Sequence, residues 1–349
     1  MPPWLRDTAR CPLCGQPNQC ALAAAPSGEA CSPCWCSAVR IAPEVLARIP
    51  LQQRGVACIC PQCAGVTPVP AASHDDSATA MTPSPRIGVF DSGVGGLTVL
   101  RALREQIPDA NVDYVADSAH APYGEKSDAF LLDRSRRITR FLRDRGATLV
   151  VVACNTATAA AIAALRAEFA LPFVGIEPGI KPALRLSKNG RVGVMATPST
   201  LRSAKFQSLV RTHADDASLH LQACAGLAEG VEQGLLGHPD LLRKLGEYCA
   251  PLRDAGCDTV VLGCTHYPLL AHPIQRALGP NVRLLDTAQA VAQQTARLWA
   301  QQAHSTPGSA PTHGEIQAWS NGDLAVLRRM AALCGLDDLS TAPLGPLRL

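Results

Sequence analysis

The amino-acid sequence predicts an α/β protein: two similar α/β domains, whose mainly parallel sheets face a shared cleft, and a small cysteine-rich N-terminal module. Three observations predict this architecture. Nine of the 15 cysteines lie between Cys11 and Cys63. From Arg86 onward, short β-branched segments alternate with stretches rich in alanine and leucine, which is typical of parallel strands connected by helices. Two segments of that region recur later in the chain in the same order.

Composition narrows the class of protein. The chain has 349 residues, of which 47% are apolar and 4% aromatic, which is ordinary for a globular protein of two or three domains. A net charge of +3 is too small to indicate a nucleic-acid or membrane partner. The longest apolar stretch, residues 149–165, contains Asn155, Thr156 and Thr158 and is too polar for a membrane span. No apolar signal-peptide core follows Met1, so we expect a cytoplasmic protein. A homodimer is left open.

The N-terminal module, residues 1–64, holds its cysteines in three clusters. They are Cys11, Cys14 and Cys20, then Cys31, Cys34 and Cys36, then Cys58, Cys60 and Cys63. In a reducing compartment such clusters indicate metal ligation more than disulfide bonds, and pairs spaced Cys-x-x-Cys can chelate tetrahedral zinc. The predicted metal ligands are Cys11, Cys14, Cys31, Cys34, Cys58, Cys60 and Cys63.

The size of this module decides what a metal would do in it. So short a segment has a high ratio of surface to volume and buries little core, so a bound zinc ion would be structural. A redox or iron–sulfur role stays open. Nucleic-acid or partner binding is less favoured, because the five arginines of the module form no dense basic run.

An internal repeat follows a linker. Residues 65–85 are rich in Pro, Ala, Ser and Thr, which predicts a flexible connection. After it, RIGVFDS (86–92) resembles RVGVMAT (191–197) at an offset of 105 residues, and ATLVVVACNTA (147–157) resembles CDTVVLGCTHY (257–267) at an offset of 110. Any two parallel strands are rich in Val and Ile, but the shared order and similar offsets indicate two related halves. We expect a first domain at 86–182, to which 287–349 returns, and a second at 183–286.

Cys154 and Cys264 occupy matching positions at the ends of two predicted strands. Functional residues of parallel sheets lie beyond the carboxyl ends of the strands, so facing ends would place the two thiols on opposite walls of a cleft. A lone cysteine there is usually a small buried apolar residue. A helix N-terminus after each cysteine would favour the thiolate, and thiols suit proton transfer near neutral pH. Hydrogen-bonding residues follow both cysteines: Asn155 and Thr156, and Thr265 and His266.

A glycine-rich turn, residues 91–98, follows the first strand of the α/β region. It fits no nucleotide motif, because Thr98 stands where the dinucleotide pattern has glycine and no lysine follows as in a P-loop. We expect a backbone nest at a helix N-terminus that binds a small carboxylate. Ser92 then offers a hydroxyl, and Asp91 receives an ammonium group or, with His266, assists a thiol. A plain tight turn with Asp91 as helix cap is the alternative.

Three further segments place polar groups at strand or loop ends. They present Tyr123 and Gly124 in DSAHAPYG, Thr197 and Thr200 in ATPST, and Glu232 in GVEQG. The backbone N–H groups of the first turn can reach a ligand, and the threonines lie at a predicted helix start. Each of these residues taken singly is more often structural than catalytic.

Taken together in order, these segments resemble the glutamate racemases, enzymes that interconvert L- and D-glutamate for bacterial cell-wall synthesis. The matching segments are FDSGVGGLTVL (90–100), ADSAHAPYG (116–124), ACNTATAA (153–160), GIEPGIKPA (175–183), ATPSTLRSAKF (196–206), VEQG (231–234) and LGCTHYPLL (262–270), with a weaker match at SNGD (320–323). The resemblance implies racemisation of glutamate, a small-molecule substrate, with no cofactor for catalysis. No lysine stands in a recognisable Schiff-base motif for pyridoxal phosphate.

The resemblance also implies roles for individual residues. Cys154 and Cys264 would be the two proton donors and acceptors, and Glu232 would be a catalytic acid near the second of them. Thr197 and Thr200 would hold the substrate carboxylate. The residues that would contact the substrate or tune the thiols are Asp91, Ser92, Tyr123, Gly124, Asn155, Thr156, Thr265 and His266. Before Glu232 the chain reads CAGLAEG (224–230), where the family has a proline-containing stretch.

Other functions stay open on the sequence. A related two-cysteine racemase could act on aspartate or a hydantoin. A regulatory protein with a degenerate racemase domain is less favoured, because a dead enzyme has no reason to keep both Cys154 and Cys264. A thiol–disulfide oxidoreductase would need a Cys-x-x-Cys pair, and those occur only in the N-terminal module. Over about residues 10–64 that module resembles the cysteine-rich CWC family, whose name matches Cys34-Trp35-Cys36 and which implies no known activity.

Overall fold

The computed structural model describes residues 10–18, 41–50, 53–54, 57–65, 85–213, 218–302 and 314–343. The chain divides into two compact units, residues 1–81 and 82–349, and each is described by itself. Residues 66–84, which make up most of the expected linker, lie outside the described residues, as do the predicted metal ligands Cys31 and Cys34.

The described part of the first unit has little regular structure. An antiparallel bridge joins Arg10 to Pro17, and one short helix spans Pro43–Ala47. Its buried apolar cluster consists of Cys11, Ile59 and Cys60. Burial of three side chains removes little apolar surface from water, so this cluster stabilises the described part of the unit only weakly.

The second unit contains two parallel sheets, and the expected α/β class is confirmed. Its described strands are β1 Arg86–Asp91, β2 Asn111–Ala116, β3 Ala147–Val152, β4 Phe173–Gly175, β5 Arg191–Ala196, β6 Ser218–Ala223, β7 Thr259–Leu262, β8 Arg283–Leu285, β9 Ile316–Ser320 and β10 Ser340–Pro343. The first sheet has the order β10-β9-β2-β1-β3-β4 and the second β6-β5-β7-β8. Each described pair of neighbouring strands is parallel.

Helices connect these strands, as parallel pairing requires. The described α-helices of this unit are Leu97–Gln106, Asp128–Asp144, Asn155–Glu168, Ile180–Leu186, Pro198–Arg202, Ala204–His213, Leu227–Glu232, Pro239–Asp254, Ala271–Leu278, Ala288–Ala300 and Leu324–Leu333. Short 3-10 helices span Ser118–His120, Tyr123–Glu125 and Tyr267–Leu270. Among the helices of the described residues, none is both long and apolar enough to cross a membrane.

The strand order reproduces the internal repeat of the sequence. β1 lies between β2 and β3 with β4 beyond, and β5 lies between β6 and β7 with β8 beyond. The register also agrees, since Val89 pairs with Val151 in the first sheet and Val194 pairs with Val261 in the second. Val194 follows Val89 by 105 residues and Val261 follows Val151 by 110 residues, which are the offsets of the sequence repeat. Equivalent loops of the two halves therefore follow equivalent strand ends.

Burial explains the composition of the central strands. β3 reads ATLVVV and β7 reads TVVL, and nearly all of their side chains are buried. Helices cover both faces of a parallel sheet, so its inner strands are apolar without alternation. The C-terminal part of the chain returns to the first sheet, where β9 pairs with β2 and β10 pairs with β9.

Candidate active site

The carboxyl ends of four strands bring polar side chains of both halves together. Asp91 ends β1, and Cys154 lies two residues beyond β3. In the second half, Thr197 directly follows β5, and Cys264 lies two residues beyond β7. The predicted catalytic and substrate-binding residues of the α/β region are all buried except Glu232, which is half-buried. One enclosed polar cluster therefore contains residues from both halves.

Cys154 is the N-cap of the helix Asn155–Glu168, as the sequence predicted. Its Sγ accepts a hydrogen bond from the N–H of Ala157 at 3.5 Å, and its thiol donates to Ser92 Oγ at 3.8 Å. Burial raises the pKa of the Cys154 thiol far above its ordinary value, and the nearby charges of Asp91 and Cys264 raise it further. The helix N-terminus was expected to favour the thiolate, but desolvation outweighs it. Burial therefore favours the neutral thiol at Cys154.

Cys264 has different surroundings. A 3-10 helix, Tyr267–Leu270, follows it instead of the expected α-helix N-terminus. Its Sγ lies 3.5 Å from His266 Nδ1, and His266 Nε2 lies 2.5 Å from Glu232 Oε1. Burial alone would lower the pKa of His266, but the hydrogen bonds and charges of Cys264 and Glu232 outweigh it and raise the pKa well above 6.5. These partners therefore favour the protonated, positively charged form of the His266 ring.

The glycine-rich turn differs from its expected use. Asp91 Oδ2 accepts the N–H groups of Gly93 and Gly96 at 3.1 and 2.9 Å, and Glu232 Oε1 accepts that of Val94 at 2.7 Å. Three N–H groups predicted to bind a substrate carboxylate are therefore taken by carboxylates of the protein. This is closer to the alternative interpretation, in which Asp91 closes the turn.

The glycines of the turn permit close contact between the halves. A Cβ atom at Gly93 would lie 2.0 Å from Glu232 Oε1, and one at Gly95 would lie 2.5 Å from His266 Nδ1. Real Cβ atoms do not approach other atoms this closely, so side chains at these positions would displace the acid and the imidazole. The turn is therefore a surface against which Glu232 and His266 are positioned.

Asp91→Asn should stabilise the fold increasingly as the pH rises. Burial raises the pKa of the Asp91 carboxyl above 3.8, although His266 and two N–H groups act in the other direction. Above about pH 4 the Asp91 carboxyl ionises more readily in the unfolded chain than in the folded one, so the free energy of unfolding of the wild type falls as the pH rises. Asparagine does not ionise, so the variant does not lose this stability. We expect the Tm of the variant minus that of the wild type to increase from pH 4 to pH 8 in thermal scans. A difference that decreases over this range would contradict the argument.

Three hydroxyl groups meet where the two halves adjoin. Thr156 Oγ1 lies 3.2 Å from both Thr197 Oγ1 and Thr200 Oγ1, and these two are 3.0 Å apart. Beside them, the side-chain amide of Asn155 is buried, and neither of its polar atoms has a hydrogen-bond partner among the described residues. An unpaired buried amide costs about 1–3 kcal/mol for each group. A bound carboxylate would accept hydrogen bonds from the side-chain N–H₂ of Asn155 and from the hydroxyl groups, and an ammonium group would donate to Asn155 Oδ1.

The surroundings of Tyr123 include residues that the sequence analysis missed. The Tyr123 hydroxyl donates to Asp117 Oδ2 at 2.6 Å, so that hydroxyl is already paired within the protein. Asp117 is fully buried and accepts two hydrogen bonds from Arg134, at 2.9 and 2.6 Å, and one from Asn321 at 2.6 Å. Both residues lie in segments that match the racemase pattern: Asp117 begins DSAHAPYG, and Asn321 lies in SNGD. This match could have pointed to them. Arg134 carries no signal, because it is one of many arginines on an amphipathic helix.

Asp117→Asn should destabilise the protein by about 3–5 kcal/mol, the cost of leaving one partner of a buried ion pair alone. The amide would present N–H groups to Arg134 or Tyr123, which are themselves donors. Denaturant unfolding measures this decrease in the free energy of unfolding. The matched control is Glu168→Gln, which breaks the exposed ion pair with Arg136 and should cost much less. Equal losses in the two variants would contradict the argument.

Four of the predicted metal ligands lie together in the first unit. The Sγ atoms of Cys11, Cys14, Cys60 and Cys63 all lie within 4.8 Å of one another. Cys58 is not part of this group of four. The predicted ligands Cys31 and Cys34 lie outside the described residues.

A second group of side chains of the types that can hold a metal ion consists of Asp91, Glu232 and His266. Glu232 accepts from Val94 and from the His266 ring, and Asp91 accepts from Thr265 Oγ1 at 3.3 Å. Hydrogen bonds within the protein thus already use the atoms that a metal would need. This group fits proton transfer better than metal binding.

The sequence profile of the family described as Asp/Glu/Hydantoin racemase matches residues 87–295, and that of Cysteine-rich CWC matches residues 11–65. Both resemblances expected from the sequence are thereby confirmed. A glutamate racemase of Methylococcus capsulatus is 49% identical over 71% of this chain and 90% of its own length. A glutamate racemase of Pseudomonas aeruginosa is 46% identical over 66% of this chain and 87% of its own length.

Solved structures agree with these sequence relatives. A glutamate racemase isoform from Bacillus anthracis superposes with a TM-score of 0.68 at 29% identity, covering 76% of this chain and 99% of that one. The glutamate racemase of Escherichia coli, solved with L-glutamate and an activator, has a TM-score of 0.66 at 35% identity and covers 75% of this chain and 99% of its own. With its two matching halves and its cysteines at equivalent strand ends, the chain belongs to the Asp/Glu/hydantoin racemase family.

Proposed function

We propose that this chain racemises glutamate without a cofactor, with Cys154 and Cys264 as the two bases. The observation that carries the proposal is that these buried thiols follow equivalent strands of the two halves and adjoin one polar cluster. The two sulfurs are near enough to interact electrostatically, since the charge of Cys264 contributes to raising the pKa of Cys154. The relatives named as glutamate racemases support glutamate as the substrate.

The reaction exchanges one proton for another at Cα. The thiolate of Cys264 takes the Cα proton from one face, and the electron pair of the broken C–H bond delocalises into the α-carboxylate. The thiol of Cys154 then gives its proton to the opposite face of Cα. The product is the other enantiomer, and the two sulfurs have exchanged protonation states. The same steps in reverse convert the second enantiomer, so each cysteine acts as acid in one direction and base in the other.

Stabilisation of the carbanion is the main catalytic demand. Negative charge develops on the α-carboxylate, where hydrogen-bond donors in an enclosed site act more strongly than in water. We assign this role to the Asn155 amide and to the hydroxyl groups of Thr156, Thr197 and Thr200. In the proposed complex the substrate pairs the otherwise unpartnered Asn155. Donors that are already in place need little reorganisation when the charge appears.

The two cysteines have different surroundings at the start of the cycle. Beside Cys264, which is assigned as the first base, the protonated His266 ring supplies positive charge, and Glu232 in turn accepts a hydrogen bond from that ring. Cys154 is an acid because its burial disfavours the thiolate. This difference supplies one base and one acid at the same pH, as a two-base reaction needs.

Substrate entry requires the halves to separate. The proposed contact residues are buried, and hydrogen bonds such as Val94 N–H to Glu232 Oε1 cross between the halves. A cavity of about 340 Å³ borders Asn155 and Thr200 and marks one side from which a ligand could reach the cluster. Closure over the substrate then excludes water and completes the set of catalytic groups.

The test is incubation of the purified protein with L- or D-glutamate in D₂O, without added pyridoxal phosphate. Polarimetry follows inversion, and proton NMR follows loss of the Cα proton. We expect both enantiomers to approach a racemic mixture, and the product to carry one Cα deuterium. L-Aspartate serves as the comparison substrate. No exchange from either glutamate enantiomer would overturn the proposal, and faster exchange of aspartate would overturn the choice of substrate.

We further propose that the D-glutamate is used in the cytoplasm for peptidoglycan synthesis. Expression of the chain in a bacterium that needs external D-glutamate should restore growth without it. The Cys154→Ser variant should not restore growth. Equal growth with this variant would contradict the assigned role.

For the N-terminal module we propose a structural zinc ion, as its cysteine pattern predicts. The described part of the module buries only three apolar side chains, so an ion would supply stability that its core does not. This role is separate from catalysis.

A further inference from the structure

Two turns of the N-terminal module have the same sequence pattern and the same backbone hydrogen bond. The first reads CPLCG and the second CPQCA, beginning at Cys11 and Cys60. Gly15 N–H donates to Cys11 O at 2.8 Å, and Ala64 N–H donates to Cys60 O at 3.0 Å. Each turn therefore carries its two cysteines on one tight loop, the arrangement that chelates a metal with both thiolates.

The two turns face each other through their sulfur atoms. Cys14 Sγ and Cys60 Sγ are 3.6 Å apart although 46 residues separate them in sequence. All four sulfurs lie within 4.8 Å of one another. Tetrahedral zinc with Zn–S bonds of about 2.3 Å places its sulfurs about 3.8 Å apart, close to the distance seen here.

We propose that Cys11, Cys14, Cys60 and Cys63 bind one zinc ion as a tetrahedral four-thiolate site. This inference rests on the proposal that the module binds zinc and adds which cysteines bind it. The four cysteines are free of disulfide bonds, and a separation of 3.6 Å is far too long for an S–S bond. The sulfurs are close enough to share one metal ion, whereas an iron–sulfur cluster spreads its cysteines over two or more iron atoms. Cys58 lies outside this set.

The ion would connect the two ends of the module. Residues 11–14 and 60–63 enclose most of its length, and the described buried apolar cluster is small and itself includes Cys11 and Cys60. A four-thiolate zinc ion contributes folding free energy directly, because the preformed site does not exist in the unfolded chain. We therefore expect the described fold of this unit to depend on the metal, while the racemase unit does not.

The test measures zinc in the full-length protein and its variants by mass spectrometry after extensive dialysis. Cys11→Ser, Cys14→Ser, Cys60→Ser and Cys63→Ser should each hold one zinc equivalent less than the wild type. Cys257→Ser, which removes a buried cysteine of the other unit, is the control and should hold as much zinc as the wild type. Glutamate racemisation should be unchanged in all five variants, which shows that the rest of the chain is folded.

Two further measurements separate ligand loss from unfolding of the module. Histidine is also a zinc ligand, so Cys14→His should keep the zinc that Cys14→Ser loses. With Co²⁺ in place of zinc, the wild type should show sulfur-to-cobalt charge transfer, and Cys14→His should show about one quarter less of it because one of four thiolates is gone. Wild-type protein without zinc would overturn the proposal that the module binds zinc. Zinc that is retained in Cys60→Ser or lost in Cys257→Ser would overturn only this ligand set.

Discussion

Replacing Cys154 with serine should lower the rate of glutamate racemisation by about 10²–10⁴-fold, the range that general acid–base catalysis contributes. Replacing Cys264 with serine should do the same. Serine is close to cysteine in size, so the enclosed site keeps its shape, but an alkoxide forms far less readily than a thiolate. Each variant therefore keeps one working base and loses the group that completes inversion.

The two variants should differ in the glutamate enantiomer whose Cα proton they still exchange for deuterium. A remaining cysteine can remove the Cα proton only from the face that it adjoins, and it returns deuterium to that same face. In D₂O we expect each variant to exchange the Cα proton of one enantiomer without inverting it. The enantiomer that exchanges in Cys154→Ser should be the opposite of the one that exchanges in Cys264→Ser. Proton NMR on each pure enantiomer measures the exchange, and chiral chromatography measures inversion.

A matched control lies near the other end of the same strand. Cys257 is also buried, but it precedes the amino end of β7, whereas Cys264 follows the carboxyl end. Cys257→Ser should therefore racemise at the wild-type rate. Wild-type turnover in either active-site variant, or exchange of the same enantiomer by both, would refute the two-base assignment.

Replacing His266 with asparagine should lower kcat/KM at pH 7 by about 10²-fold, the lower end of the acid–base range. In the proposed mechanism the positive charge of His266 stabilises negative charge on the Cys264 sulfur. The hydrogen bonds of Cys264 and Glu232 hold the pKa of His266 well above 6.5 despite its burial. Asparagine carries no charge and cannot replace this stabilisation. We therefore expect the acidic limb of the pH profile of kcat/KM to move to higher pH, with part of the activity recovered there.

The stability of this variant should also depend on pH in a defined direction. A histidine whose pKa is raised by folding contributes stability that is complete below about 6.5 and is lost as the pH rises through the folded value. The Tm deficit of His266→Asn should thus be largest below pH 6.5 and decrease above it. His220→Asn on the edge strand β6 is the control and should leave the pH profile unchanged. An unshifted acidic limb in His266→Asn would contradict the assigned role.

The sequence determined the architecture of the second unit in some detail. Alternation of β-branched and alanine-rich segments predicts parallel sheets, and the repeat predicts two similar halves, which the strand register reproduces residue by residue. It also predicts that Cys154 and Cys264 follow equivalent strands. These features follow from local composition and periodicity, which are readable without knowing any long-range contact.

Only the tertiary structure decided which groups pair with which. The N–H groups of the glycine turn were expected to bind a ligand, but Asp91 and Glu232 accept them, and Glu232 comes from a position 138 residues later in the chain. Arg134 gave no signal, because its burial against Asp117 depends on how a helix packs. Desolvation likewise reverses the expected effect of the helix N-terminus on Cys154.

The same division holds in the cysteine-rich module. Its sequence predicts metal ligation from spacing, yet nine cysteines between Cys11 and Cys63 allow many ligand sets. The folded chain brings together the turns at Cys11 and Cys60, which belong to distant segments. Sequence periodicity reports which elements form and which faces they bury. Hydrogen-bond partners, desolvation and metal geometry depend on three-dimensional distances between distant residues, and only the folded structure sets those distances.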